Sequence, residues 1–281
     1  MSTNQLAVKD FFLRDDVKKK FQELLGQKSV GFITSVMQVV NNNNLLQKAS
    51  PSSIYNAAAM AATLDLPINQ NLGFAWIVPY GNQAQFQIGW KGMIQLANRT
   101  GQYKAINVTE VYENQFTSFN RLTEELDADF SIVGSGAVVG YVAYFKLLNG
   151  FEKTVFWTTE EVKQHGAKFS KTFNQSNGVW KTNFDAMAKK TVLKNTLAKW
   201  GILSIEMQNA VIADSAIIND VDTLDVEYID GGEAKPEIQK PLFTESDFDM
   251  CKNAGMTIDD IRKDWETTPE IEMSYNDYIK A

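Results

Sequence analysis

A change of hydrophobic period within residues 73–104 constrains the fold of this 281-residue chain more than any other stretch. Residues 74–78 form a short apolar run that is closed by a turn cluster, and residues 84–88 alternate apolar side chains with glutamine. This alternation is typical of a half-buried strand and predicts a β-hairpin. From Met93 the apolar residues recur at helical spacing up to Gly101, where we expect the helix to end. The stretch therefore predicts a hairpin followed directly by a helix.

Two glycines lie at the predicted junction of this strand and helix. Gly89 and Gly92 flank a Trp-Lys pair, where unpaired backbone N–H groups would let a phosphate approach the chain. Lys91, Arg99 and Lys104 would add positive charge around such a phosphate. The alternative is that the glycines only allow a tight corner and that the tryptophan between them belongs to the core. A single Gly-x-x-Gly pair does not decide between these readings.

Three blocks of sequence, in this order, carry a family resemblance. The first is Pro-Ser-Ser-Ile-Tyr-Asn-Ala-Ala-Ala-Met-Ala-Ala at residues 51–62, and the second is the stretch 73–104. The third is Trp180 followed by Met-Ala-Lys-Lys-Thr-Val-Leu-Lys at residues 187–194. Together the blocks resemble the RecT family of phage and prophage single-strand annealing proteins.

The resemblance implies an ATP-independent recombinase that is not an enzyme and needs no cofactor. Such a protein would bind single-stranded DNA, anneal it with a complementary strand into duplex DNA, and assemble as a homo-oligomer into rings or helical filaments. By the same resemblance, the C-terminal part of the chain would recruit partners such as a host single-stranded-DNA-binding protein or a companion exonuclease.

Composition indicates a folded protein without a membrane segment. With 44% hydrophobic residues, the chain can bury a core as one large domain or as one domain with an appendage. Apolar runs stay well below the length of a membrane span, and the N-terminal residues do not resemble a signal peptide, so we expect a cytoplasmic protein. Cys251 is the only cysteine, which excludes an internal disulfide and a cysteine-rich zinc site.

The net charge of −7 hides a division between the two parts of the chain. From residue 205 onward there are 19 acidic and 6 basic residues, which leaves 15 acidic and 21 basic residues in 1–204. This asymmetry favours a body that binds a polyanion and an acidic tail that binds partners. A solvated tail with no specific role is the alternative.

The order of the patterns predicts an α+β fold, in which an antiparallel β-sheet packs with helices, with helices also at the N-terminus and in a small C-terminal appendage. A capping box, in which two residues three apart satisfy each other's backbone N–H groups, opens one helix at Thr158 and Glu161. Besides the first hairpin and its helix, helices are expected over 17–25, 31–40, 51–64, 160–165 and 183–200, and strands over 105–112, 130–133, 138–148 and 153–157. Ser50 is expected to cap the third of these helices, and residues 166–180 to form a loop.

We predict three segments along the chain. Residues 1–218 form a core for DNA binding and oligomerisation, residues 219–241 an acidic linker, and residues 242–281 a small helical domain that binds partners. Within the last segment, Thr244 and Thr257 are expected to begin short helices.

The basic residues of the body make DNA the favoured ligand. Residues 153–204 contain nine lysines and three acidic residues, interleaved with aromatic side chains. Lysine neutralises the phosphate backbone and aromatic rings stack on bases, although each of these aromatics taken singly fits the core as well. On the predicted helix 183–200, Lys190 and Lys194 share the face that we expect to contact phosphate, with the loop lysines as the alternative. The candidate DNA-binding residues are Lys91, Arg99, Lys104, Lys168, Lys171, Lys181, Lys189, Lys190 and Lys194.

Two other classes of function remain open. No Gly-x-x-x-x-Gly-Lys-Ser/Thr motif occurs, which disfavours ATP-driven strand exchange, and the only histidine, His165, is expected to be solvated. A metal-dependent nuclease would need Asp127, Asp129, Glu161 and Lys163 to converge, but the capping box already explains Glu161. We therefore predict no catalytic residue and no metal ligand. The third class is a structural oligomer in which the basic stripe of one copy pairs with the acidic tail of its neighbour.

Overall fold

The computed structural model confirms the α+β class and divides the chain into two compact units, Met1–Gly231 and Gly232–Ala281. Each unit has its own buried core. The structure describes residues 3–69, 71–176, 178–228, 243–253, 255–258, 261–262 and 267–280.

Four helices open the first unit: α1 (Thr3–Leu13), α2 (Asp15–Leu25), α3 (Ser29–Asn41) and α4 (Pro51–Thr63). Periodicity predicted α2 and α3, and the Ser-Pro helix start predicted α4, but α1 was not predicted. Alanines fill the buried face of α4 and let neighbouring elements approach closely. Ser50 precedes α4 as expected, but its hydroxyl pairs with that of Ser52 instead of capping the helix.

The predicted hairpin and helix follow, as β1 (Ala75–Tyr80), β2 (Gln83–Ile88) and α5 (Trp90–Arg99). The strands pair antiparallel, and Gly81 in the turn has a φ of 58°, a conformation that glycine adopts without strain. Alternate residues of β2 pack into the core, which also contains α4. The period change in the sequence therefore predicted this region correctly.

The central sheet has the order β3-β6-β7, and a separate hairpin formed by β4 and β5 packs on one of its faces. The strands are β3 (Tyr103–Tyr112), β4 (Phe116–Asn120), β5 (Glu125–Ala128), β6 (Val138–Leu147) and β7 (Glu152–Thr158). The predicted strand over 130–133 is wrong. Asp129 accepts hydrogen bonds from the backbone and the hydroxyl of Ser131, so the chain turns here instead of extending.

The turn between β6 and β7 contains the predicted Asn-Gly pair, but it is longer than the two-residue turn that this pair usually forms. The Leu147 N–H donates to the Phe151 carbonyl at 2.8 Å, which encloses three residues. Gly150, the last of them, has a φ of 94°. This arrangement corresponds to a three-residue hairpin loop with glycine at its left-handed position.

The remaining elements of the first unit are α6 (Thr159–Phe169), α7 (Val179–Thr182), α8 (Phe184–Trp200), α9 (Ile205–Ala213), β8 (Ile217–Asp220) and β9 (Asp225–Glu227). The capping box of Thr158 and Glu161 is confirmed at the start of α6. Part of the predicted loop 166–180 is helical, because α6 continues to Phe169 and α7 begins at Val179. Helix α8 has 17 residues, about 25 Å in length, and packs against the central sheet.

The hairpin of β8 and β9 belongs to the first unit, although most of it lies in residues 219–241, which we predicted to be an acidic linker. Ile218 and Val226 are buried in the core, and the Asn56 side chain donates to the Ile218 carbonyl at 2.8 Å. Residues 229–241, the rest of the predicted linker, lie outside the described part of the chain.

The second unit contains α10 (Phe248–Asn253) and α11 (Pro269–Lys280). A capping box joins Thr244 and Asp247, which confirms the predicted helix start. Phe243, Cys251 and Tyr275 lie in the buried core of this unit. Residues 259–260, where the predicted second short helix would continue, lie outside the described residues. Within the described part of the chain, no helix is both long and apolar enough to cross a membrane.

Candidate nucleic-acid interface

The lysine face that we expected to contact DNA is partly buried, and the predicted exposure of Lys190 is wrong. Lys190 is only 7% exposed, and its Nζ lies 2.7 Å from Oδ1 of Asp214. One helical turn later, Lys194 Nζ lies 3.0 Å from Oδ2 of the same carboxylate. Asp214 also accepts a hydrogen bond from the Ile88 N–H at 3.2 Å. The two lysines share one face of α8 as predicted, but that face ties the helix to β2 and to the end of α9.

The charges of this cluster depend on one another. Burial disfavours the charged carboxylate of Asp214, but the charges and hydrogen bonds of Lys190 and Lys194 outweigh burial and lower its pKa. Burial and the charge of Lys194 lower the pKa of Lys190, while Asp214 opposes them. Since a buried ion needs its partner, Lys190 is held in the core and is not available to a phosphate.

Lys189 contacts other elements than Lys190 does, namely β3 and the start of α5. Its Nζ is 2.7 Å from Oε1 of Glu110 and 5.4 Å from the centre of the Trp90 ring. Lys91 Nζ lies 5.6 Å from the same ring. Burial opposes ionisation of Glu110, but the hydrogen bond from Lys189 helps to lower its pKa. Two of the predicted lysines therefore meet around one half-buried tryptophan.

Arg99 stabilises the end of a helix. Its guanidinium donates to the carbonyls of Leu64 and Asp65 at 2.6 and 2.8 Å, directly after α4. A cation at a helix C-terminus satisfies free carbonyls and favours the helix dipole. This structural role accounts for Arg99 without a DNA contact.

Gly89 and Gly92 allow a close backbone contact. A Cβ atom at Gly89 would lie 2.1 Å from the carbonyl oxygen of Gly73, and one at Gly92 would lie 2.1 Å from that of Phe74. No larger residue fits either position unless the backbone moves. The structure therefore gives both glycines a packing role, which supports the tight-corner reading.

The aromatic side chains of the basic segment contact one another. Trp180 is buried, with its ring centre 5.5 Å from that of Phe173 and 5.8 Å from that of Phe184. A second group, not predicted from sequence, places His165 5.4 Å from Trp157 and 4.6 Å from Phe169. His165 is half-buried between these rings, so the expectation that it is solvated is wrong. The i,i+4 spacing of His165 and Phe169 was the available signal.

Four of the candidate lysines are exposed on elements that contact α8, or in the loop between two of these elements. Lys181 precedes the helix, Lys168 lies 4.9 Å from the Phe169 ring at the end of α6, and Lys171 follows in the next loop. Lys91 is exposed beside Trp90, which contacts α8 through Lys189. Among the described residues, Lys91, Lys168 and Lys181 take part in no ion pair.

Lys104 lies at the opposite end of α8. The hydroxyl of its neighbour Tyr103 donates to the carbonyl of Ile202, beyond the helix C-terminus, at 3.0 Å. Because α8 is about 25 Å long, most of that length separates Lys104 from Lys181, which lies just before the helix N-terminus.

The comparison with known families gives this arrangement a context. The model of the RecT family matches residues 31–227, more than two-thirds of the chain. The chain belongs to the RecT family. The uncharacterized protein YqaK of Bacillus subtilis (strain 168) is 49% identical over 248 residues, which cover 86% of this chain and 85% of YqaK. Protein RecT of Escherichia coli (strain K12) is 30% identical over 188 residues, which cover 64% of this chain and 68% of RecT.

The RecT match ends close to the C-terminal bound of the first unit but leaves out its first 30 residues. It begins in α3 and ends at Glu227, the last residue of β9. It contains every candidate DNA-binding residue and leaves out the second unit.

Two of the three carboxylates considered for a metal-dependent nuclease, Glu161 and Asp129, have structural roles. Glu161 accepts the Thr158 N–H at 2.8 Å and pairs with Arg121 at 2.6 Å. Asp129 holds the turn at Ser131. Among the described residues, no three histidine, cysteine, aspartate or glutamate side chains are grouped so that they could hold a metal ion.

Proposed function

We propose that this RecT family protein is an ATP-independent single-strand annealing protein. It binds single-stranded DNA in the cytoplasm, pairs it with a complementary strand, and self-associates into rings or helical filaments. The observation that carries the proposal is the family match over residues 31–227, which includes the whole basic segment.

Lysines on α8 and on the elements around its N-terminal end supply the proposed DNA contacts. We call Lys91, Lys168, Lys171, Lys181 and Lys189 the basic end. These lysines neutralise phosphates, and the half-buried rings beside them offer edges and faces for bases. Contacts to the backbone leave the base edges accessible, so that a complementary strand can pair against them. This mechanism requires no covalent step.

Complementary oligonucleotides test the proposal in ATP-free buffer that has been treated with EDTA and then supplied with magnesium. We expect the protein to accelerate pairing, measured by quenching between dyes on the two strands. An absolute requirement for ATP would contradict the proposal. Cleavage products on a denaturing gel of the same mixture would favour a nuclease instead.

A mobility-shift assay at low salt separates annealing from a purely structural role. We expect a labelled single strand to shift whatever its sequence, because backbone contacts carry no sequence information. If the folded protein assembled but bound no strand, its basic residues would serve contacts between copies.

We further propose that the second unit recruits a partner in DNA processing, such as a single-stranded-DNA-binding protein or an exonuclease. Its support is a separate small core outside the RecT match. Pull-down with residues 232–281 deleted tests this role, because the deletion should abolish capture of the partner and leave annealing intact.

A further inference from the structure

An ordered loop after β5 presents apolar side chains to solvent. Val133 is 89% exposed, and Phe130 and Ile132 are also exposed. The loop is nevertheless fixed, because the Asn114 side chain donates to the Val133 carbonyl at 2.9 Å and the Gln115 side chain donates to the Ile132 carbonyl at 3.0 Å. Exposed apolar groups on a fixed backbone are typical of a protein-binding surface.

The surroundings of this loop are acidic. Glu113, Asp127 and Asp129 are exposed near it. Arg121 is the only basic residue in 113–137, and it pairs with Glu161. We call residues 127–133, which include the last two residues of β5, the acidic loop. Its charge repels DNA phosphate and favours a basic partner.

A surface of the opposite charge combines apolar and basic side chains. Its apolar members are Leu148, which is 65% exposed, together with Phe151, Trp200 and Ile202. Lys199 Nζ lies 4.8 Å from the Trp200 ring, and Lys104 is exposed nearby. We call Lys104, Leu148, Phe151, Lys199, Trp200 and Ile202 the basic patch.

Hydrogen bonds show that the basic patch is continuous. The Leu148 N–H donates to the Gln102 carbonyl at 2.9 Å, which joins the turn after β6 to the start of β3. The Tyr103 hydroxyl donates to the Ile202 carbonyl at 3.0 Å, which joins β3 to the end of α8.

The two surfaces lie at opposite ends of the central sheet. Tyr112 pairs with Val138 beside the acidic loop, and Tyr103 pairs with Leu147 beside the basic patch. Nine residues of β3 separate the two pairs, which corresponds to about 30 Å along the strand.

We propose that the acidic loop of one copy docks on the basic patch of a second copy. This inference rests on the proposed self-association and names its interface. The two surfaces have opposite charge and both expose apolar side chains, which favours binding of a second copy of the chain. Because the contact joins two different surfaces, a dimer still has a free basic patch on one copy and a free acidic loop on the other. Such a head-to-tail contact extends into a filament or closes into a ring.

Two substitutions of exposed side chains test the interface in the full-length chain. Val133→Asp removes the apolar tip of the acidic loop, and Leu148→Asp does the same for the basic patch. The hydrogen bonds at both positions use the backbone and are retained. We expect each variant alone to assemble at least tenfold more weakly than wild type by mass photometry, with and without a long single strand.

The decisive sample is an equal mixture of the two variants. Each variant retains one intact surface, so the mixture should form dimers that do not extend. Val30→Asp is the matched control, because Val30 is 74% exposed on α3 and belongs to neither surface. It should assemble as wild type does.

Two results would overturn the interface: wild-type assembly by Val133→Asp, or a mixture that forms no more dimer than its components. Monomeric wild type under all conditions would instead refute self-association itself. The annealing assay with short oligonucleotides is scored separately, so that the proposed DNA activity stands or fails independently.

Discussion

Asp214 is a single buried carboxylate that serves two lysines, and its removal would leave Lys190 charged in the core without a partner. Breaking a buried ion pair in this way costs about 3–5 kcal/mol. We therefore expect Asp214→Asn to lower the free energy of unfolding by roughly that amount in urea titrations. Asp127→Asn, at an exposed carboxylate, is the control and should change stability by less than about 0.5 kcal/mol. Adding Lys190→Met to Asp214→Asn should recover part of the loss; no recovery would show that the pair does not carry the effect.

The same carboxylate links stability to pH. The two lysines lower the pKa of Asp214 in the folded protein below its ordinary value of 3.8. Its contribution is therefore complete above that value and is lost as the pH falls through the folded pKa. Urea titrations at a series of acidic pH values should show a shallower decline for Asp214→Asn than for wild type. Parallel declines would contradict this linkage.

Sequence periodicity could place Lys190 and Lys194 on one helical face but could not say which way that face points. The partner that decides this, Asp214, lies 24 residues after Lys190 and 20 residues after Lys194. It follows a helix, and nothing in its local pattern marks it as buried. Periodicity likewise could not identify Glu110 as the partner of Lys189, because the two residues are 79 positions apart.

At the scale of elements, the end of α6 and the short helix α7 should carry a measurable part of the electrostatic binding. Replacing Lys168 and Lys181 with glutamine removes two proposed phosphate contacts. Each contact contributes roughly 0.7 to the slope of log affinity against log salt for a single strand, so the slope should decrease by about 1.4. Fluorescence anisotropy with two unrelated oligonucleotides measures it.

Lys190→Met is the matched comparison on α8 itself. Since Lys190 is buried, the salt slope of this variant should equal that of wild type. A reduced slope in a well-folded Lys190→Met protein would show that this helical face does contact DNA. An unchanged slope in the variant that lacks Lys168 and Lys181 would show that these two residues of the basic end do not contact phosphate.

Local chemistry explains which elements could be predicted. The first hairpin, α5 and both confirmed capping boxes depend on residues within a few positions of one another. The strand expected over 130–133 failed because an apolar run alone does not show that Asp129 turns the chain. The separation of Lys104 from the basic end depends on how α8 lies across the sheet, which periodicity does not contain.

At the scale of the whole molecule, the boundary between the two units at residues 231 and 232 determines where the acidic C-terminal part can be removed without unfolding the first unit. Residues 232–281 contain 12 acidic and 6 basic residues. A chain ending at residue 231 should stay folded and bind single strands at least as tightly as the full chain, because it loses net negative charge. Circular dichroism and anisotropy measure the two properties. Markedly weaker binding by the folded truncation would show that the second unit helps to hold DNA.

A cut at Ile218, which the sequence boundary at 218 suggests, should have a different effect. It would remove β9 and leave Ile218 without the strand that covers it. We expect such a chain to unfold at lower urea concentration than the chain ending at residue 231.

The contact of Asn56 with Ile218 joins positions that are 162 residues apart, and Lys20 pairs with Asp222 across 202 residues. At a synthesis rate of about 5–20 residues per second, the N-terminal residues are synthesised at least about eight seconds before these partners. The surface of α4 that β8 later covers is exposed throughout that interval. The order of synthesis therefore makes this surface the place where a nascent chain would most need a chaperone.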